Sequence, residues 1–87
     1  MKIRSGFVIR QVAGETVVLP CGENAGMRMV ISLNDTGAFL WKQLQQVRTK
    51  EDLVKALVAE YAVEEAVAAN SVEKFIQTLQ QNGFLEA

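Results

Sequence analysis

The apolar residues of this chain change period once, and the change divides it into a β half and a helical half. Phe7-Val8-Ile9-Arg10-Gln11-Val12 and Thr16-Val17-Val18-Leu19-Pro20 are rich in β-branched and aromatic residues and flank the turn-forming Ala13-Gly14-Glu15, which predicts a hairpin. After a second connection containing Gly22 and Gly26, Met27, Met29, Ile31 and Leu33 alternate with Arg28, Val30 and Ser32. A period of two predicts a third antiparallel strand, apolar on one face. Pro20 cannot donate to a ladder and belongs at a strand end.

At Asn34 the period becomes helical. Asn34 is a good N-cap, Asp35 suits the positive end of a helix dipole, and Leu40, Trp41 and Leu44 recur at helical spacing, so a first helix is predicted to about Gln46. Thr49 with Asp52 three residues on has the form of a capping box and opens a second helix through Leu53, Leu57 and Tyr61. A third begins near Glu64, carries Val72, Phe75, Ile76 and Leu79 on one face, and stops at Asn82-Gly83 before Phe84-Leu85 returns to the core. Sheet first and helices afterwards make an α+β fold, a three-stranded antiparallel sheet followed by three helices in a winged-helix-like order. Such a sheet leaves a strand edge with unpaired N–H and C=O groups.

Eighty-seven residues fit one domain with a small core. The lone Cys21 can make no internal bridge, which suits a reducing compartment. No segment has the apolar length of a membrane span, and Met1 to Gly6 leads into no signal-peptide core, so the expected location is cytoplasmic. The net charge of -1 conceals +3 on residues 1–48 and -4 on the remainder.

Catalytic chemistry finds little to stand on. The absence of histidine excludes Ser-His-Asp and Cys-His arrangements and histidine-ligated metal sites. One cysteine cannot make a thiolate zinc site, and Cys21 reads best as a small turn residue. Glu64 and Glu65 diverge around a helix axis, and no glycine-rich phosphate loop is present. A protein that binds is therefore expected, with no enzyme activity, metal or cofactor.

Three kinds of partner are compatible with the order of elements. A winged-helix nucleic-acid binder would need a basic recognition helix, yet residues 63–87 contain only Lys74 against Glu64, Glu65, Glu73 and Glu86. A structural subunit could pair its open edge with a second copy as a homo-oligomer. An extended peptide could add a strand to that edge, held by backbone hydrogen bonds and apolar anchors.

The last mode is also what a family resemblance implies. Phe7-Val8-Ile9-Arg10, Val17-Val18-Leu19-Pro20, Leu33-Asn34-Asp35-Thr36 leading to Phe39-Leu40-Trp41, Thr49 to Val54, Val72 to Ile76 and the ending Asn82-Gly83-Phe84-Leu85 resemble the PqqD-like proteins. The founding member of that family serves pyrroloquinoline quinone (PQQ) biosynthesis, and its fold is also called the RiPP recognition element. The resemblance implies an adaptor that captures the leader peptide of a ribosomally made precursor and presents it to a modifying enzyme, often a radical-SAM enzyme. In such proteins the leader pairs with the third strand and packs against the third helix. Carried onto this chain, that implicates Met27, Arg28, Met29, Val30 and Ile31, faced by some of Val72, Phe75, Ile76 and Leu79. Arg28 and Val30 stand out because they lie on the less apolar face of the strand. Asn34 and Trp41 read as cap and core.

Overall fold

The computed structural model describes residues 1–22, 26 and 30–86. Strands β1 (Phe7–Val12) and β2 (Glu15–Pro20) pair with Val12 opposite Glu15, so Ala13 and Gly14 alone make the turn. Both have positive φ, 52° and 83°, the left-handed backbone that matches a two-residue turn to the twist of its strands. Glu15, expected in the turn, is thus the first residue of β2. Strand β3 (Ile31–Leu33) pairs antiparallel with β2, giving the order β1-β2-β3. The sequence predicts a longer third strand from Met27. Met27, Arg28 and Met29 lie outside the described residues.

The register separates the two sheet faces. Phe7, Ile9, Val18, Ile31 and Leu33 share one face and pack against the helices, while Arg10, Glu15 and Ser32 fall on the other. On the helix side, Gln11 donates to the Thr16 hydroxyl at 2.6 Å, which gives that buried hydroxyl a partner.

Helix α1 (Asp35–Gln43) starts where Asn34 Oδ1 accepts from the Gly37 N–H at 2.8 Å, as the cap reading requires. It ends three residues before the predicted Gln46. Beyond Leu44 the bonds from Gln45 to Lys42 and from Gln46 to Gln43 reach back only three residues, so the last turn tightens and the chain leaves the helix. Helix α2 (Lys50–Tyr61) opens on the predicted capping box, with Thr49 and Asp52 bonded reciprocally at 2.9 and 3.1 Å. Helix α3 (Glu65–Gln81) ends at Asn82, and Gly83 follows at φ 72°.

Phe84 closes the core. It is 1% exposed and meets Phe7 and Trp41 edge to face, with centroids at 4.7 and 5.6 Å. The N-terminal residues join the same core in a way the sequence pattern did not announce. Ile3 is buried, forms an antiparallel bridge with Leu85 and donates its N–H to the Leu44 carbonyl. The C-terminal segment is therefore paired with Ile3 and not with the sheet. Among the described residues no helix is long and apolar enough to cross a membrane.

Candidate functional site: an open strand edge beside a cleft

The backbone of β3 has one side occupied by β2 and, among the described residues, one free side, and the hydrogen-bond pattern tells which residue serves which. The Cys21 N–H donates to the Gly6 carbonyl at 2.8 Å, one step beyond the Phe7–Pro20 pair and in the same register. Hydrogen-bonded pairs alternate along an antiparallel ladder, so odd-numbered residues of β2 bond to β1 and the even-numbered Thr16 and Val18 bond to β3. The two-residue turn, with Val12 and Glu15 as its closing pair, demands the same parity. Leu33 and Ile31, opposite Thr16 and Val18, thus spend their backbone groups on β2. Ser32 turns its N–H and C=O outward. Among the described residues no further strand lies on that side.

Beside this edge runs a cleft between β3 and α3, floored by the start of α1. Leu33, Leu40 and Phe75 supply its apolar lining, and Ser71, Lys74 and Thr78 line it from α3. Gly37 matters here. A Cβ at that position would stand only 3.2 Å from Asn34 Oδ1 and in ordinary contact, 3.4 Å, with the Phe75 ring, so glycine chiefly spares the cap that starts the floor of the cleft. Towards the hairpin the cleft adjoins a second hollow that shares Ser32, Leu33 and Asn34 and adds Glu15 and Asp35.

Helix α3 carries three stripes. Ala68, Val72, Ile76 and Leu79 are buried in the core; Ser71, Lys74, Phe75 and Thr78 line the cleft; Glu65 and Ala69 line a separate hollow against α2. Of the nine residues proposed from sequence, the structure places Phe75 in the cleft and Ile31 on β3, while Val30 is 65% exposed just before that strand. Val72, Ile76 and Leu79 stand one stripe away, behind the cleft wall. Met27, Arg28 and Met29 lie outside the described residues. The sequence does not point to Ser32, Ser71, Lys74 or Thr78 as site residues. For the three on α3 a signal is present, in polar residues at i, i+3 and i+7 bracketing Phe75.

Charge is distributed unevenly around the cleft. Lys50 on α2 holds Glu73, and this pairing keeps the Glu73 carboxyl below the usual carboxylate range. Lys74 is the sole basic residue of α3 and has no ion-pair partner among the described residues. A helix with one lysine offers little to a phosphate backbone. The hollow between α2 and α3, lined by Val54, Val58 and Ala69, is more apolar than the cleft but has no backbone edge beside it. No group of acidic or cysteine side chains among the described residues is arranged to hold a metal ion.

An α+β domain of winged-helix-like order, with a free strand edge next to a part-apolar cleft, is built to receive an extended chain. The family model for coenzyme PQQ synthesis protein D (PqqD) matches residues 10–85, and the chain belongs to that family. No significant match is found among curated proteins. Among solved structures it is similar to TbiB1 in complex with the TbiA(beta) leader peptide, at 25% identity and a TM-score of 0.76, covering 100% of this chain and 96% of that one. It also shares the fold of lasso peptide synthetase B1 complexed with the leader peptide, at 23% identity, a TM-score of 0.76, and coverage of 99% and 96%.

Proposed function

We propose that this protein is a non-catalytic, cytoplasmic adaptor that captures the leader segment of a ribosomally made precursor peptide and presents it to a modifying enzyme. The leader adds a fourth strand to β3 and seats side chains in the cleft against α3. The observation that carries this reading is the outward-facing backbone of Ser32 beside the Phe75 cleft. It is supported by family membership and by two similar proteins whose structures contain leader peptides.

Magnitudes divide the labour. Ser32, and Val30 if the strand alternation continues to it, each offer one N–H and one C=O. At about 0.5–1.5 kcal/mol net per hydrogen bond, these yield a few kcal/mol, less than or comparable to the roughly 4–15 kcal/mol cost of association. Apolar anchors at about 1.5–3 kcal/mol each must supply the rest, and two or three bring binding toward the micromolar range, about -8 kcal/mol. Phe75, Leu33 and Leu40 form the apolar receiving surface. Val30 and Ile31 would lie along the added strand, and Met27, Arg28 and Met29, the other strand residues expected from the family resemblance, lie outside the described residues. Val72, Ile76 and Leu79 hold the wall from behind.

The test is amide hydrogen exchange with and without a synthetic leader peptide, chosen as the tightest binder from a panel of precursor leader sequences. The Ser32 amide should exchange freely in the unbound protein and become protected on binding, while the Ile31 and Leu33 amides are protected in both states. Saturated binding with no new protection at Ser32 would dismiss strand addition.

A further inference from the structure

We propose that charge selects and orients the peptide: the strand that this cleft takes carries an acidic side chain placed to meet Lys74. Its opposite end, towards the hairpin, carries a basic or neutral residue facing Glu15 and Asp35. This inference rests on the strand-addition reading and names the chemistry of its guest.

Backbone bonds are the same for every sequence, and a described β3 of three residues fixes neither register nor direction of a guest strand. Side chains must do so. The apolar lining of Phe75, Leu33 and Leu40 can hold one anchor, but an anchor alone tolerates either strand direction. The polar features of the cleft are not symmetric. Lys74 lines it from α3, and its neighbour Glu73 is already engaged by Lys50, so the lysine charge is not neutralised from within the helix. At the hairpin end the adjoining hollow is lined by Glu15 and Asp35, neither of which has an ion-pair partner among the described residues. A peptide with its acidic residue near the anchor and a basic residue toward Glu15 satisfies both ends. The reversed strand sets like charges against each other, and a slipped one parts the acidic residue from Lys74, which suppresses wrong partners more than it strengthens right ones.

Short random peptides displayed on phage, panned against the protein and against Lys74→Glu and Ser32→Pro variants, test this directly. The parent should enrich peptides with Asp or Glu at a fixed spacing from an apolar residue, and Lys74→Glu should enrich Lys or Arg at that same position. A synthetic peptide of the winning sequence should bind Lys74→Glu about three- to tenfold more weakly, and exchanging its acidic residue for lysine should restore the affinity. Peptides that depend on Ser32 but show no acidic preference, or the same preference with Lys74→Glu, would overturn the charge rule and leave strand addition standing. Peptides indifferent to Ser32→Pro, or no enrichment at all, would overturn both.

Discussion

Ser32→Pro isolates the open edge from the rest of the fold. Ser32 is solvent-exposed and its N–H points away from β2, so proline removes a hydrogen-bond donor that the sheet does not use. Ile31 before it is already in a strand, the conformation that a following proline requires. The ladder bonds made by Ile31 and Leu33 survive. The remaining cost is a shift of φ toward -65°, and a loss of about 1 kcal/mol would lower Tm by roughly 4–8 °C in a domain of this size.

Peptide binding should suffer more. The missing N–H forfeits about 0.5–1.5 kcal/mol, and a guest carbonyl pressed against the ring without a donor raises the penalty to about 1–3 kcal/mol. That range corresponds to roughly 5- to 150-fold weaker binding. Ser32→Ala keeps the N–H and should stay within about twofold of the parent, since exposed substitutions usually fall within about 0.5 kcal/mol. Fluorescence anisotropy with a labelled leader peptide measures the affinities, and thermal melts report the fold. A Ser32→Pro protein that melts near the parent and binds equally well would refute the parity argument, and an equal loss in Ser32→Ala would place the effect on the side chain.

Three other perturbations probe the scaffold. Phe84→Ala removes the ring shared between Phe7 and Trp41 and should cost about 3–5 kcal/mol, a large part of a total of roughly 5–10 kcal/mol; a urea midpoint close to the parent's would show that Phe84 does not close the core. Thr49→Ala opens the capping box of α2, which lies away from the cleft, so stability should fall by about 1 kcal/mol with leader affinity unchanged; a parallel loss of affinity would tie α2 to the site. Acid should destabilise the protein through Asp52 and Glu73. Hydrogen bonds from Thr49 and the pairing with Lys50 hold their carboxyls below the usual range in the folded state. A folded pKa below the unfolded one gives stability that is fully present above the unfolded value and is lost as pH falls through the folded one. Urea midpoints should therefore decline below about pH 4, and the combined Asp52→Asn and Glu73→Gln variant should decline less; an unchanged slope in that variant would exonerate both groups.

Local chemistry was readable wherever one or two residues decide it. The Asn34 cap, the Thr49–Asp52 box and the left-handed Gly83 all stand where their residue types place them, whereas alanine is not a residue type that announces the left-handed backbone Ala13 adopts in the hairpin turn. The N-terminal packing was not readable, because Ile3 joins the core through a single bridge to Leu85 and a lone bridge leaves no periodicity to detect. The end of α1 is not legible in the sequence because Gln45 and Gln46 are adequate helix formers, and only the i to i-3 bonds show the chain departing. As for the site, alternation suggested an open edge, but it could not say that Ser32 is the residue facing outward. That needed the register of β2 against both of its neighbours.

The same limit explains why apolar periodicity on α3 points at Val72, Ile76 and Leu79, which the fold buries, and is silent about the polar stripe beside them that lines the cleft. Apolar residues at helical spacing point at what a helix buries in its own protein, and in a chain of 87 residues nearly all of that goes to the single core. A surface for a guest must be assembled from what remains, so polar residues necessarily make up most of it and an apolar residue enters only where it borders both surfaces. Phe75 is that residue: it touches the core behind and lines the cleft in front. Changes at Phe75 therefore mix stability with binding. Changes at Lys74 or Ser32, both exposed, can separate them, and for that reason the charge rule and the strand edge are tested at these two positions and not at the apolar centre of the cleft.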